Sequence, residues 1–488
     1  MTITIFGVLV LIIGGILMLR ASVLAMLIFV MLTTLMGGSA AFYLATGSSI
    51  LPSIEAVMLL AVRSLMPTYR ATGSLRSALD ANLPLLLFTS YGIAGALILP
   101  FVFAGALDVA PLRPVFSRDP FATLPLGFTA QNLTSAGYLL TTTLGAIFAY
   151  AAVQTRGAEE RIARVAILIA MTHAALGFVG IAVAGTPLIA VFEFFRNGLY
   201  NQLDQDIGGL SRMNGIFAEA SNFAGYGFIY FVFVTELWLR DIERRRAGTA
   251  SVFLLFALFI STSTTAYIGL VGYVVILFMR QLLFPVTIGS SKIVVLLLGL
   301  LFVSALTLVT FVVWPEYLKV VDLIYRVMIV NKAESESGLV RLMWARQGIE
   351  AFWVSGGLGV GVGSFRSSSL ATAILGSMGV IGVATYLAQL LRVFQPLRQS
   401  TYVPTGNPRI DVGVAASWTV IAMTIPAFVG APSPDPGLNW GLIVGIALGL
   451  RAPRRFTDHS VADHLSLLPD VVPAPAASHH SHKYPTNP

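Results

Sequence analysis

Three stretches of this sequence hold side chains whose types and spacing suit chemistry on an anion. The first, FEFFRNGLYNQLDQDIGGLSRMNGIFAEASNFAGYGF, carries Arg196, Arg212 and Glu219, together with Glu193, Asp204 and Asp206. Glu219 stands where a loop turns into a helix, close in sequence to Arg212. A carboxylate there can act as a general base tuned by its surroundings, or simply complement the helix dipole. Asp204-Gln-Asp206 has the D-x-D form of metal-dependent glycosyltransferases, but three residues are a short motif and a solvated turn is the commoner origin of such a pair. The second stretch, SGLVRLMWARQGIEAFWVSG, spaces Leu339, Leu342, Ile349 and Phe352 as on one helix face, with Arg341 and Arg346 on more polar faces. Its Trp344 and Trp353 can stack on a sugar ring or sit at a membrane interface. The third, GGLGVGVGSFRSSS, lacks the spacing of a dinucleotide-binding loop and the Lys-Ser/Thr of a P-loop. Two readings of it stay open. Its backbone N–H groups and Arg366 can hold a phosphate through a forked, permanently charged group, or its small residues let helices pack closely.

The elements that must position these groups are set by composition. The chain has 488 residues, of which 56% are hydrophobic and 11% charged, and its mean hydropathy is +0.83. Soluble domains carry about 25% charge. Apolar blocks, most of them long enough to cross a hydrocarbon core, fall near 3–19, 22–46, 50–62, 83–105, 134–155, 165–185, 223–239, 250–264, 266–280, 293–314, 369–391, 411–430 and 438–450; 50–62 is short and carries Glu55, and 250–264 and 266–280 are short too. They are too long and uniform for barrel strands. The expected fold is all-α and polytopic, with 12 or 13 membrane-crossing helices depending on whether 250–280 is one helix or two. Counting two, with the amino terminus outside, about 20 of the 30 Lys and Arg fall on the inner face. These include the clusters Arg63/Arg70/Arg76, Arg156/Arg161/Arg164, Arg240/Arg244/Arg245/Arg246 and Arg451/Arg454/Arg455. The other ten sit in three outer loops, 106–133, 186–222 and 315–368, and loops of such length tend to be functional. The net charge of +7 is thus explained by membrane topology, and nucleic acid is not an expected partner. Absence of cysteine excludes disulfides and thiolate metal sites. The membrane domain is expected over 1–455. The Pro-, Ala-, Ser- and His-rich remainder, 456–488, reads as a disordered cytoplasmic tail.

Arg212 in RMNGIFAEASNFA, then STSTTAYIGL, then RLMWARQGIEAF followed by GLGVGVGSFR resemble the O-antigen polymerase (Wzy-type) and O-antigen ligase superfamily, in that order, over roughly 120–450. The resemblance implies a GT-C-like glycosyltransferase of the bacterial inner membrane with two large periplasmic loops. It would use undecaprenyl-diphosphate-linked oligosaccharide among membrane lipids, alongside a chain-length regulator and an export complex. Arg212 and Arg341 match the arginines that hold the pyrophosphate, and neither metal nor cofactor is implied. Arg196, Arg346, Arg366 and Trp344 would then guide donor or acceptor, with Glu219 as the base. Ligases of the superfamily carry a periplasmic histidine shortly after the glycine-rich segment. Here that position reads SFRSSSLATA, five of six histidines lie in the tail, and His173 falls within a span, so the pattern favours polymerase over ligase. In STSTTAY, relatives often place a basic residue where Thr264 stands, so no charge-binding role passes to it. A lipid-glycan flippase or transporter is the rival from another class: Glu55 and His173 are expensive inside a membrane and can form a proton relay. A scaffold subunit of an export complex is a third reading.

Overall fold

The computed structural model describes residues 2–44, 49–66, 72–112, 119, 121–198, 206–207, 210–285, 289, 291–292, 294–295 and 336–453. Among them the chain is predominantly helical. The helices are α1 (Ile5–Arg20), α2 (Val23–Thr33), α3 (Pro52–Leu65), α4 (Thr72–Ala81), α5 (Leu83–Val102), α6 (Ala130–Ala152), α7 (Ala158–Ala182), α8 (Ile189–Phe195), α9 (Ala220–Leu239), α10 (Arg244–Ile260), α11 (Thr264–Leu283), α12 (Glu336–Val354), α13 (Leu370–Phe394), α14 (Gln399–Tyr402), α15 (Pro408–Gly430) and α16 (Leu438–Arg451). Two-residue strands β1 (Thr2–Ile3), β2 (Phe42–Tyr43) and β3 (Ser49–Ile50) form an antiparallel sheet in the order β1-β2-β3. The pairs β4 (Asp108–Val109) with β5 (Leu124–Pro125) and β6 (Asp206–Ile207) with β7 (Leu210–Ser211) are antiparallel too.

Among the described residues, five helices, α5, α7, α11, α13 and α15, are long and apolar enough to cross a membrane. Their outward faces agree with that: Val271, Val274, Phe278 and Leu282 of α11 are each more than 60% exposed, a row that water would not tolerate but lipid would. The core lies around α9 and α16, which bury nearly every residue and read as apolar all round.

One span differs from the sequence expectation, and the choice left open at 250–280 is decided. The block 22–46 yields a helix only to Thr33; beyond it the chain runs through Gly37 and Gly38, where a Cβ would strike Phe217 or the Ile216 carbonyl. The region 250–280 resolves as two helices, α10 and α11, broken at Ser261–Ser263 where Thr262 takes a left-handed φ of 48°. All of the block 293–314 but residues 294–295, and the tail from 454, lie outside the described residues.

Glycines decide how α16 packs. Gly441, Gly445 and Gly449 recur every four residues and run parallel to α6, where a Cβ would lie 2.2 Å from Thr142 O at Gly441 and 2.2 Å from Ala146 O at Gly445. Such small-residue stripes let helix backbones touch. Gly445→Val is expected to cost about 3 kcal/mol by overpacking, read as a lower thermal midpoint in detergent. Gly430→Ala, where a Cβ meets open space, should leave that midpoint unchanged; equal midpoints for both variants would contradict the stripe.

The end of the bundle at which α1, α6, α9, α13 and α16 terminate is held by cations. Arg63 donates to Ala21 O at 2.7 Å, Lys292 to Leu239 O at 2.7 Å, Arg409 to Val153 O at 3.0 Å and Gly449 O at 2.8 Å, and Arg451 to Val393 O at 2.9 Å. Each satisfies carbonyls that a helix C-terminus leaves open, and each charge suits the negative end of the dipole. Deeper in, Glu236 of α9 accepts from Arg280 at 2.8 Å and from the Tyr273 hydroxyl at 2.9 Å. Arg240 reaches Asp411 at 3.3 Å and Thr401 O at 3.1 Å. The Glu236, Arg240 and Arg280 side chains are all but inaccessible.

Candidate functional site

At the opposite end, a cavity of about 1270 Å³ gathers segments far apart in sequence. Its walls come from the end of α2, the start of α9, the α10–α11 turn, α12, the residues before α13, the end of α15 and the start of α16. Arg212, Glu219, Arg341, Trp344 and Arg366 all line it.

Arg212 follows β7 and donates from Nη2 to Thr262 O at 3.2 Å, while its Nε has no partner among the described residues. Burial pulls its pKa below the usual arginine value; the neighbouring Glu219 and Tyr267 push it back up, and Arg341 adds to the lowering. Two guanidinium groups thus feel one another across the cavity with one carboxylate to offset them, a field that favours an added anion. Glu219 is the N-cap of α9 but does not cap it; it accepts instead from the Ser221 hydroxyl.

Arg341 and Trp344 are three residues apart on α12 and therefore share a face. Arg346 lies on another side, exposed and paired with Glu350 at 3.1 Å. Arg346, expected to guide substrate, does not line the cavity: five residues from Arg341 is about 140° around a helix. Arg196 is also elsewhere, buried at the end of α8 with its Nε 3.4 Å from Phe192 O. The apolar stripe of α12 faces away from the protein, with Leu339 46%, Leu342 66% and Ile349 44% exposed; the helix packs instead through Val340, Gln347 and Ala351.

The glycine-rich loop is a packing element. Gly357, Gly359, Gly361 and Gly363 all hold φ between 85° and 97°, which only glycine adopts without strain. A Cβ on Gly359 would lie 2.5 Å from the Ser377 carbonyl, and one on Gly363 2.6 Å from Gln131 O. Its amides are already used: Gly359 N donates to Ser355 Oγ at 2.8 Å, Val360 N to Gly376 O at 2.9 Å and Gly361 N to Ser377 O at 3.0 Å. Of the two open readings, close packing is the one the geometry meets. The loop threads between α5, α6 and α13 and delivers Arg366 to the cavity. There the Arg366 Cζ lies 4.3 Å from the Trp344 ring centre, a cation–π contact. Its backbone N donates to Ala110 O at 2.9 Å, and Gln347 of α12 accepts from Ala110 N at 3.0 Å, so one short segment ties α12 to Arg366.

No protein-family model matches this chain, and neither does any curated protein. What the cavity can do is therefore read from its own chemistry.

Sequence reasoning missed part of the lining. Ser263, Thr264 and Thr265 at the α10–α11 turn, Tyr386 of α13, and Asn439 and Trp440 of α16 all face the cavity. Tyr386 and Trp440 stack at 5.7 Å. The hydroxyls of Ser263 and Tyr386, the Asn439 carbonyl, and the indole N–H groups of Trp344 and Trp440 have no partner among the described residues. Inside apolar spans these residues look like ordinary helix surface, so no local pattern marks them. His173 is packed between Phe217 and Phe223 and hydrogen-bonds the Phe223 carbonyl at 3.1 Å. Glu55 is buried in α3 and neither carboxylate oxygen finds a partner among the described residues. No hydrogen bond joins Glu55 to His173, so the relay suggested by sequence is not formed between them. Of the D-x-D pair, Asp204 lies outside the described residues and Asp206 belongs to β6.

Proposed function

We propose that this chain is a Wzy-type polysaccharide polymerase of the bacterial inner membrane, transferring a glycan from undecaprenyl diphosphate onto a lipid-linked repeat unit at the periplasmic face. One observation carries the reading: Arg212, Arg341 and Arg366, from three distant segments, meet Glu219 in one cavity at one end of an apolar helix bundle. The opposite end holds the buried cations, and cations gather on the cytoplasmic side, so the cavity opens toward the periplasm.

The reaction follows from that placement. The acceptor hydroxyl attacks the anomeric carbon of the donor glycan; the new C–O bond forms as the bond to the diphosphate breaks. The diphosphate leaves on its lipid carrier, and its developing charge is met by fixed guanidinium groups, which need no reorganisation in the step. Glu219 takes the hydroxyl proton, and Ser221 orients its carboxylate. Trp344, held under Arg366, offers its indole N–H and its edge to a sugar.

Deletion followed by gel separation of lipid-linked glycans tests the reading. Single repeat units left on the carrier are expected. Full-length polymer retained on its carrier would instead mean a ligase, and units trapped in the cytosolic leaflet a flippase. Because arginines supply the positive charge, turnover of the purified protein is expected to survive EDTA; complete loss would count against this mechanism.

A further inference from the structure

The α10–α11 turn has a serine where a helix cap belongs, yet that serine does not cap. Ser263 is the N-cap of α11 with extended backbone, and its side chain makes no capping hydrogen bond. Serine at this position normally accepts from the second or third helical N–H. Here Ser263 is 1% exposed and lines the cavity, and its hydroxyl has no partner among the described residues. The first hydrogen bond of α11 is Tyr267 N to Ser263 O at 3.1 Å. The N–H groups of Thr264, Thr265 and Ala266 therefore have no acceptor among the described residues, as a helix start requires of an open end. Thr264 and Thr265 line the cavity as well.

The turn is held in this form. Thr262 sits at φ 48°, a conformation non-glycine residues rarely take, and its carbonyl accepts from Arg212 Nη2 at 3.2 Å. Arg212 is thereby fixed beside the open helix end with its Nε unused. The backbone donors of Thr264 and Thr265, one hydroxyl donor, the positive end of a 20-residue helix and a guanidinium all meet at one wall, and among the described residues no carboxylate accepts from these donors.

We infer that the first turn of α11, with the Ser263 hydroxyl and Arg212, is a phosphate-binding site that receives one phosphate of a diphosphate. Helix N-termini bind such anions through free N–H groups and the dipole. The inference rests on the polymerase reading only for the identity of the diphosphate as that of a lipid carrier. Arg341, across the cavity, is placed for the second phosphate.

The test uses the full chain in phosphatidylcholine nanodiscs, titrated calorimetrically with inorganic pyrophosphate and, separately, with undecaprenyl diphosphate added to the disc. Ser263→Asp supplies a carboxylate that caps α11 and occupies its N–H groups. It should keep or raise the thermal midpoint while weakening pyrophosphate binding at least 30-fold. Ser263→Ala, which removes only the hydroxyl, should weaken binding about fivefold with an unchanged midpoint. If both ligands weaken together, the site serves the lipid carrier; if pyrophosphate alone weakens, it takes a free diphosphate. Wild-type affinity in Ser263→Asp, or no pyrophosphate binding by the wild type at millimolar concentration, overturns the site. A site confirmed in this way in a chain whose deletion leaves polymer length unaltered would sink the polymerase reading alone. Repeat-unit accumulation on deletion, with unaltered binding in Ser263→Asp, would sink the site alone.

Discussion

Arg212→Gln and Arg341→Gln are each expected to lower polymerisation about 100-fold or more, the loss seen when one donor to a developing negative charge is removed. Both variants should still accumulate in the membrane, because each side chain lines the cavity without belonging to the core. The measurement is the ladder of lipid-linked glycans in cells whose own copy has been replaced: single units should dominate and long chains vanish. Arg212→Lys keeps the charge but loses the fork that holds Thr262 O while presenting a second edge, so it should recover only part of the activity. Arg366→Lys should be milder, because its contact with Trp344 tolerates any cation. The two Gln changes act on one anion, so the double variant should be little worse than either alone. Normal chain length in both single variants would end the case for a guanidinium-held diphosphate.

Glu236→Gln is expected to produce the largest loss of stability in the molecule, about 3–5 kcal/mol, the usual consequence of removing one partner from a buried ionic network. Its carboxylate meets Arg280 twice, at 2.8 and 3.0 Å, and stands 3.9 Å from Arg240. An amide cannot neutralise either charge, and both arginines would remain buried. The readout is the thermal midpoint of purified protein together with its yield from membranes. Pairing the change with Arg280→Met should restore part of the loss by removing one stranded cation. An unchanged midpoint in the single variant would mean that water reaches this network.

Part of the cavity lining was legible in the sequence. Arg212, Glu219, Arg341, Trp344 and Arg366 stand out because charged and aromatic groups are rare in an apolar chain and cluster between spans. Arg196 and Arg346 stand out for the same reason, yet lie elsewhere. Sequence position near a motif does not say which way a helix turns, and five residues of α12 rotate Arg346 out of reach. The open helix end at Ser263 was illegible for a different reason: a serine before a helix ordinarily caps it, and only the tertiary structure reveals that the hydroxyl is unused.

Composition and spacing by themselves determined that this is a helical chain with spans apolar enough for a membrane. They did so because the cost of burying charge or open backbone in hydrocarbon acts on every residue of a span, leaving a signal averaged over twenty positions. Tertiary structure alone decided that the glycine loop is a wedge that carries Arg366, that α16 lies parallel against α6, and that residues from α9, α11, α12 and α16 share one cavity. Each of these depends on a contact between segments distant in the chain, at tolerances of a few tenths of an ångström, and no local pattern encodes a distance of that kind.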